Sequence, residues 1–285
     1  MAQKKIILKY NGKSVDLSDK IIIMGILNVT PDSFFDGGRY SGVDRAVDRG
    51  QEMINEGADI IDIGGESSRP GAEPVSEVEE KKRVIPVIKK LAKKANILIS
   101  VDTRKAEVAR EAVDTGAGMI NDISALSADR NMAGVVKRSK VPVCIMHMQG
   151  NPQNMQVKPH YKDVVKEIKV FLKDRIDFCR NQGIDENRII VDPGIGFGKT
   201  VEHNLEILRR LTELGSIGRP VMIGLSRKSF MGKLLGLSPG QRMETSLALH
   251  VWCMLNGANI LRVHDVMETS RAVKIIKAVT KGKYG

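Results

Sequence analysis

Aromatic residues are scarce in this chain, and cysteines scarcer still. One tryptophan, four tyrosines and six phenylalanines make up 4% of 285 residues. None alternates with the basic clusters, which argues against a stacking platform for single-stranded nucleic acid. The three cysteines, Cys144, Cys179 and Cys253, lie far apart and form no C-x-x-C pair. A disulfide framework and a thiolate zinc site are therefore not indicated, and free buried thiols in a reducing compartment are the plainer reading. The histidines (His147, His160, His203, His250, His264) are scattered, and no H-E-x-x-H occurs. No apolar run reaches the length of a membrane span, and Ile6–Leu8 is too short for the core of a signal peptide. A soluble, cytoplasmic protein with no membrane partner is expected.

Positive charge is what the chain has in excess: 45 Lys and Arg against 34 Asp and Glu, a formal net charge of +11. Such a surface suits nucleic acid or an anionic substrate. Many of the lysines (Lys81, Lys82, Lys89, Lys90, Lys93, Lys94, Lys274, Lys277, Lys281) fall on amphipathic helical segments, where a solvated face accounts for them. No nucleic-acid partner is expected.

A single unit repeats along the chain. A short β-branched run ends in a polar residue, and a helical segment follows. The runs are Ile21–Leu27, Ile60–Ile63, Ile97–Val101, Met119–Ile120, Val141–Met146, Ile189–Val191, Val221–Leu225 and Ile260–Val263, which fit parallel strands buried on both faces. The helical candidates are Asp44–Glu56, Ser76–Lys93, Lys105–Asp114, Asp129–Ser139, Lys162–Asn181, Glu202–Leu214, Gln241–Leu255 and Glu268–Val279. Gly57, Gly116, Gly183, Gly215 and Gly257 sit where a helix C-cap needs positive φ. Strict alternation points to an α/β fold, a closed (β/α)8 TIM barrel over residues 1–285 without a second domain. An open doubly wound sheet is the alternative. Asn11-Gly12 between two apolar runs predicts a hairpin within residues 1–20 that caps the barrel bottom.

In such barrels the active site lies at the carboxyl ends of the strands. Those ends here carry Asn28, Asp62, Asp102, Asn121 with Asp122, His147, Asp192, Ser226 with Lys228, and Arg262 with His264. Any one Asp or Asn could simply cap the next helix; the whole set on one rim points to function, because buried polar groups cost free energy unless paired. Asp102, Asn121 and Asp192 suit a flat heterocycle with adjacent N–H donors, while Arg69, Lys228, Arg262 and His264 suit a phosphate-type anion on the other arc. That layout invites displacement of an anionic leaving group from a carbon attached to a nitrogen heterocycle.

Two glycine-rich stretches remain. Asp192 to Thr200 (DPGIGFGKT) fails the Walker A register, since Pro193 stands where a glycine is required, and its glycines do not fit G-x-G-x-x-G. It reads as a tight turn that holds Asp192 while backbone passes close to a ligand. Asn28 to Gly38 is a long loop with a Gly-Gly hinge, which reads as a mobile lid. The 13 methionines read mostly as core filler.

Taken in order, Asn28–Phe34 (NVTPDSF), Gly64–Gly71 (GGESSRPG), Ser100–Thr103 (SVDT), Ile120–Asp122 (IND), Met146–Met148 (MHM), Asp192–Lys199 (DPGIGFGK), Ser226–Ser229 (SRKS) and Arg262–Asp265 (RVHD) resemble the dihydropteroate synthase family. The match runs across essentially the whole chain from about Ile21. The resemblance implies a transferase that joins 6-hydroxymethyl-7,8-dihydropterin pyrophosphate to p-aminobenzoate in folate biosynthesis, with Mg2+ and as a homodimer. It implies that Asp102, Asn121, Asp192 and Lys228 hold the pterin, with Arg262 stacked on it. Asn28, Arg69, Arg262 and His264 would face the pyrophosphate, with Asn28 also a Mg2+ ligand. Phe34, Ser68, Arg69, Pro70, Phe197 and Ser229 would form the p-aminobenzoate pocket, and Asp36 would order the first loop or accept a proton. Ser68 departs from the family's usual Thr, Phe35 from a small polar residue and Asn154 from Thr. A corrinoid-dependent methyltransferase of the same barrel superfamily would share the Asp102–Asn121–Asp192 edge but would not need the Asn28–Phe34 loop, Ser226–Ser229, or Arg262 with His264. A basic barrel that binds nucleic acid, the third reading, rests on net charge alone.

Overall fold

The computed structural model describes residues 5–10, 12–30 and 39–282. The chain enters through an antiparallel hairpin, β1 (Ile7–Tyr10) and β2 (Lys13–Asp16), closed where Tyr10 pairs with Lys13. Gly12 takes the positive φ, +70°, that such a turn needs; Asn11 lies outside the described residues. Eight parallel strands follow: β3 (Ile22–Asn28), β4 (Ile60–Gly64), β5 (Leu98–Asp102), β6 (Met119–Asp122), β7 (Val143–Met146), β8 (Ile189–Asp192), β9 (Met222–Ile223) and β10 (Ile260–Val263). They pair in the order β8-β7-β6-β5-β4-β3-β10-β9, and a parallel bridge from Val191 to Val221 joins the two ends. The sheet closes on itself, so the cylinder replaces the open-sheet alternative.

Helices return the chain on the outside: α1 (Arg39–Glu56), α2 (Glu77–Lys94), α3 (Ala106–Thr115), α4 (Met132–Ser139), α5 (Val164–Asn181), α6 (Val201–Arg209), α7 (Ser229–Leu235), α8 (Met243–Leu255) and α9 (Val266–Lys281). In α2 the buried side chains Glu80, Val84, Val87, Ile88 and Leu91 recur at helical spacing, while Lys89, Lys90, Lys93 and Lys94 are exposed. Ser76 caps its start by accepting from the Glu79 amide, and Asp163 and Thr200 do the same for α5 and α6.

The seventh barrel strand is shorter than the run Val221–Leu225, because the Leu225 carbonyl already accepts the Lys228 amide in a turn. The segment expected as one helix from Glu202 to Leu214 divides into α6 and a 3-10 stretch, Leu211–Ile217. Gly215 lies inside that stretch; the left-handed residue that ends it is Gly218, φ +73°. Gly57, Gly116, Gly183 and Gly257 do take positive φ.

Alternation along each strand divides the barrel interior into layers. The bottom layer is apolar: Ile22, Met24, Ile60, Met119, Cys144, Ile190, Met222 and Ile260 pack with Leu98 against Leu8, Leu17 and Val15 from the hairpin region. Two residues further along the same strands, the same inward face carries Asp62, Ser100, Asn121, Asp192, Gly224 and Arg262; Asp102, Asn28 and His264 lie one further step up. The mouth is therefore polar and the floor apolar.

Candidate active site

Arg262 is the centre of the polar layer. Its Nε donates to Asp62 Oδ2 at 2.6 Å and its Nη2 to Asp102 Oδ2 at 2.6 Å. The guanidinium thus spans carboxylates from β4 and β5. Asp62 Oδ2 also accepts Asn121 Nδ2 at 3.0 Å, which turns the other end of that carboxamide away. Asn121 Oδ1, Asp62 Oδ1 and Ser100 Oγ are buried with no hydrogen-bond partner among the described residues. Buried acceptors left open in this way are costly unless something donates to them. Across the cylinder, Asp192 accepts the Gly194 amide at 2.6 Å through Oδ1. Lys228 sits with its Nζ 4.0 Å from the centre of the Phe197 ring.

Burial sets the protonation of these groups. It raises Asp192 to about 6 against the Gly194 hydrogen bond and the Lys228 and Arg262 charges. It raises Asp102 to about 7, with Arg262 pulling the other way. Lys228 is lowered to about 8 by burial and by Arg262, with Asp192 opposing. Arg262 moves upward: Asp62 and Asp102 outweigh the cost of its own burial. His264 is lowered to about 4 by burial and by Arg262, and its Nδ1 lies 3.0 Å from Ser226 Oγ. Three carboxylates (Asp62, Asp102 and Asp192) and two cations (Lys228 and Arg262) thus share a space from which water is largely removed, where each charge has leverage on its neighbours.

Above this layer Ile123, Met146, Met155 and Phe197 form an apolar shelf, with Met148 packed against it. Ser68 and Asp102 line one narrow cleft together with Glu66, Thr103, Arg104, Ile123 and Pro152. The loop after β4 is rooted there: Arg104 Nη2 donates to Glu66 at 2.7 Å, and Lys105 bridges Glu66 to the buried Glu80. Arg69 and Pro70 on that loop are exposed, and the Gly71 amide ties its crest to Pro152 O at 3.1 Å. The Arg69 charge is felt at Lys228. Ser229 is exposed at the first position of α7. Asn28 ends β3 opposite Gly64, on the inward face. Phe34, Phe35 and Asp36 lie outside the described residues.

Several expectations need correction. The two arcs of charge are not separate, because Arg262 bonds to the acceptor side. Asp122 and His147 stand at strand ends but belong to the other face of the sheet. Asp122 accepts the Ser124 amide, the Ser124 hydroxyl and the Leu126 amide, which makes it a loop cap. His147 packs edge-on to Phe171 with ring centres 5.0 Å apart, behind the barrel wall. The close approach made by the Asp192–Thr200 glycines is to the chain itself: a Cβ on Gly194 would lie 1.9 Å from His147 O. Met146, Met148 and Met155 are more than core filler: they belong to the apolar cluster of Ile123 and Phe197 above the polar layer. Asp62 is a strand end in the sequence, and its step of two from Ile60, a floor residue, is the signal that aims it inward.

A divalent cation needs oxygen donors. No group of three His, Cys, Asp or Glu able to hold a metal occurs among the described residues. Asn28 offers one carboxamide oxygen at the mouth. That donor set fits Mg2+ only if a phosphate-bearing substrate and water supply most of its ligands, which is how Mg2+ commonly binds.

Residues 24–264 match the family described as pterin binding enzyme, so fold and site define a pterin-binding barrel. Within that class the likeness is to one enzyme. The dihydropteroate synthase of Escherichia coli (strain K12) is 47% identical over 272 residues, which cover 95% of this chain and 96% of that protein. A solved dihydropteroate synthase of Yersinia pestis, in complex with a sulfonamide drug, superposes with a TM-score of 0.91 at 45% identity, covering 97% of this chain and 100% of that one. That of Xanthomonas albilineans with 4-aminobenzoic acid gives 0.90 at 46%, covering 97% and 98%. This chain belongs to the dihydropteroate synthase family of transferases. The methyltransferase and nucleic-acid readings fall away.

Proposed function

We propose that the chain condenses 6-hydroxymethyl-7,8-dihydropterin pyrophosphate with p-aminobenzoate, giving 7,8-dihydropteroate and pyrophosphate. The single observation that carries this reading is the buried layer in which Asn121 Oδ1 and Asp62 Oδ1 lack donors among the described residues, beside Asp192 and Asp102. A pterin ring presents adjacent N–H groups that answer such acceptors, and its flat body suits the apolar Ile123 and Met146. Asp102, Asn121, Asp192 and Lys228 would bind the ring, with Arg262 against it. Asn28, Arg69, Arg262 and His264 would face the pyrophosphate. Ser68, Arg69, Pro70, Phe197 and Ser229, with Phe34, would receive p-aminobenzoate, as the 4-aminobenzoic acid found in the Xanthomonas albilineans relative supports.

In this reading the bond from the exocyclic methylene carbon to the pyrophosphate oxygen breaks, and its electron pair leaves on pyrophosphate. Arg262 and Arg69 stabilise that developing charge. The arylamine nitrogen forms the new bond to carbon and gives up one proton to solvent or to the leaving group. Asn28 would hold Mg2+, which when bound would supply further neutralisation of the leaving group. Asp102 offsets positive charge on the dihydropterin ring. No enzyme nucleophile is required.

Exposed apolar side chains on α8 and α9 (Trp252, Leu255, Ile275 and Val279) support a homodimer formed through these helices. Three buried free thiols support a cytoplasmic setting, and no helix among the described residues is long and apolar enough to cross a membrane. The test is to mix the protein with the pterin pyrophosphate, p-aminobenzoate and Mg2+ and follow pyrophosphate. Equimolar dihydropteroate and pyrophosphate are expected. Pyrophosphate released equally well without p-aminobenzoate would reduce the activity to hydrolysis and overturn the reading.

A further inference from the structure

Lys199 is buried to 3% exposure, yet no carboxylate among the described residues lies in contact with its ammonium; Asp192 reaches it only through its field. Its ammonium instead donates to Phe197 O at 2.9 Å and His147 O at 3.3 Å, and lies 3.0 Å from His147 Nδ1. Three donors thus meet three neutral acceptors on two separate segments. Burial pulls the Lys199 ammonium down to about 7, with Asp192 opposing; a buried amine with no ion pair in contact is costly, and a hydrophobic residue of similar volume would hold the same space at lower cost. The geometry of the turn shows what that cost secures. Gly194 and Gly198 take φ of +69° and +61°, and a Cβ on either would strike the backbone of His147 or Gln149. The turn is therefore pressed flat on residues 147–149. Asn204 Oδ1 accepts the Gly196 amide at 2.7 Å, and Tyr161 donates to Gly198 O at 2.8 Å. Between these anchors the Phe197 peptide is held by Lys199, and the Phe197 ring meets Lys228.

We infer that Lys199 is a positioning residue: with His147 it clamps the Phe197 carbonyl, and so fixes the wall against which the p-aminobenzoate ring rests. The inference rests on the proposed condensation. Lys199 touches neither substrate in this arrangement; it acts through Phe197.

The experiment is steady-state kinetics on the full chain with each substrate varied in turn. Lys199→Met keeps the stem and removes the donors. It should raise KM for p-aminobenzoate about tenfold or more, the effect of freeing one buried hydrogen-bonded group. KM for the pterin pyrophosphate should move by less than about threefold, because Asp192 keeps its Gly194 bond and the Lys228 and Arg262 charges, each of which acts on it more strongly than Lys199. His147→Phe, which keeps the ring packing and loses Nδ1, should shift the same ratio in the same direction by a smaller factor. In Phe197→Leu, adding Lys199→Met should produce little further change. An equal rise in both constants, an unchanged ratio, or additive effects in the double variant would overturn the inference. If Lys199→Met does not fold, an unchanged ratio in His147→Phe overturns it alone. An inactive wild type would instead sink the condensation reading, and the inference with it.

Discussion

His250 offers a stability test whose size can be worked out beforehand. It lies in α8, is 3% exposed, and neither ring nitrogen has a hydrogen-bond partner among the described residues. Burial lowers its pKa from 6.5 to about 4, with Asp265 pulling upward and His264 downward. A depressed pKa gives stability that is present above the unfolded value and lost as pH falls toward the folded one. The window is therefore from 6.5 down to about 4. At pH 5 the unfolded imidazole is almost wholly protonated and the folded one about nine-tenths neutral. The ratio of binding polynomials is about 30, which corresponds to a loss of about 2 kcal/mol relative to pH 8. Other groups titrate over the same range, so the wild type alone does not isolate this one. His250→Leu does, because packing changes are the same at both pH values and cancel. Urea midpoints of both proteins at pH 8 and pH 5 should show the wild type losing about 2 kcal/mol more than the variant. Parallel losses in the two proteins would refute the burial argument for this histidine.

Three further outcomes follow from the site. Gly194→Ala puts a methyl group where His147 O stands and holds a side chain at φ +69°; synthase activity should fall by more than about a hundredfold while circular dichroism stays that of a barrel. Asp192→Asn removes the charge opposite Lys228, and calorimetric affinity for the pterin pyrophosphate should drop by about 2–3 kcal/mol, roughly a hundredfold, with p-aminobenzoate recognition less affected. Burial raises the thiols of Cys144, Cys179 and Cys253. Iodoacetamide at pH 8 should therefore leave the native protein unmodified by mass and add three groups in urea; rapid native labelling would contradict the packing.

Most of the architecture could be read from the chain, because a parallel barrel writes each strand as a short β-branched run and each helix as an amphipathic one. The seventh barrel strand is harder to delimit, since Gly224 and Leu225 already belong to the turn that delivers Lys228. Which polar residues face inward is a question of parity. Asn121 and Asp122 are neighbours on opposite faces, and only the floor residue Met119 says which is which. The role of Asp62 is hidden for a different reason: its partners Asn121 and Arg262 are 59 and 200 residues away, a distance no local pattern spans. The same holds for Met146, Met148 and Met155, which join Ile123 and Phe197 in one apolar cluster only when separate segments meet. The Lys199 clamp is likewise invisible until the turn is folded onto His147.

Calorimetric titration of the pterin pyrophosphate into the wild type and into Asn121→Leu, without p-aminobenzoate, addresses the polar mouth most directly. One binding site per chain in the wild type, abolished in a variant that keeps its circular dichroism, is the expected result. Undiminished affinity in Asn121→Leu would mean that the open acceptors over the barrel floor do not read the pterin.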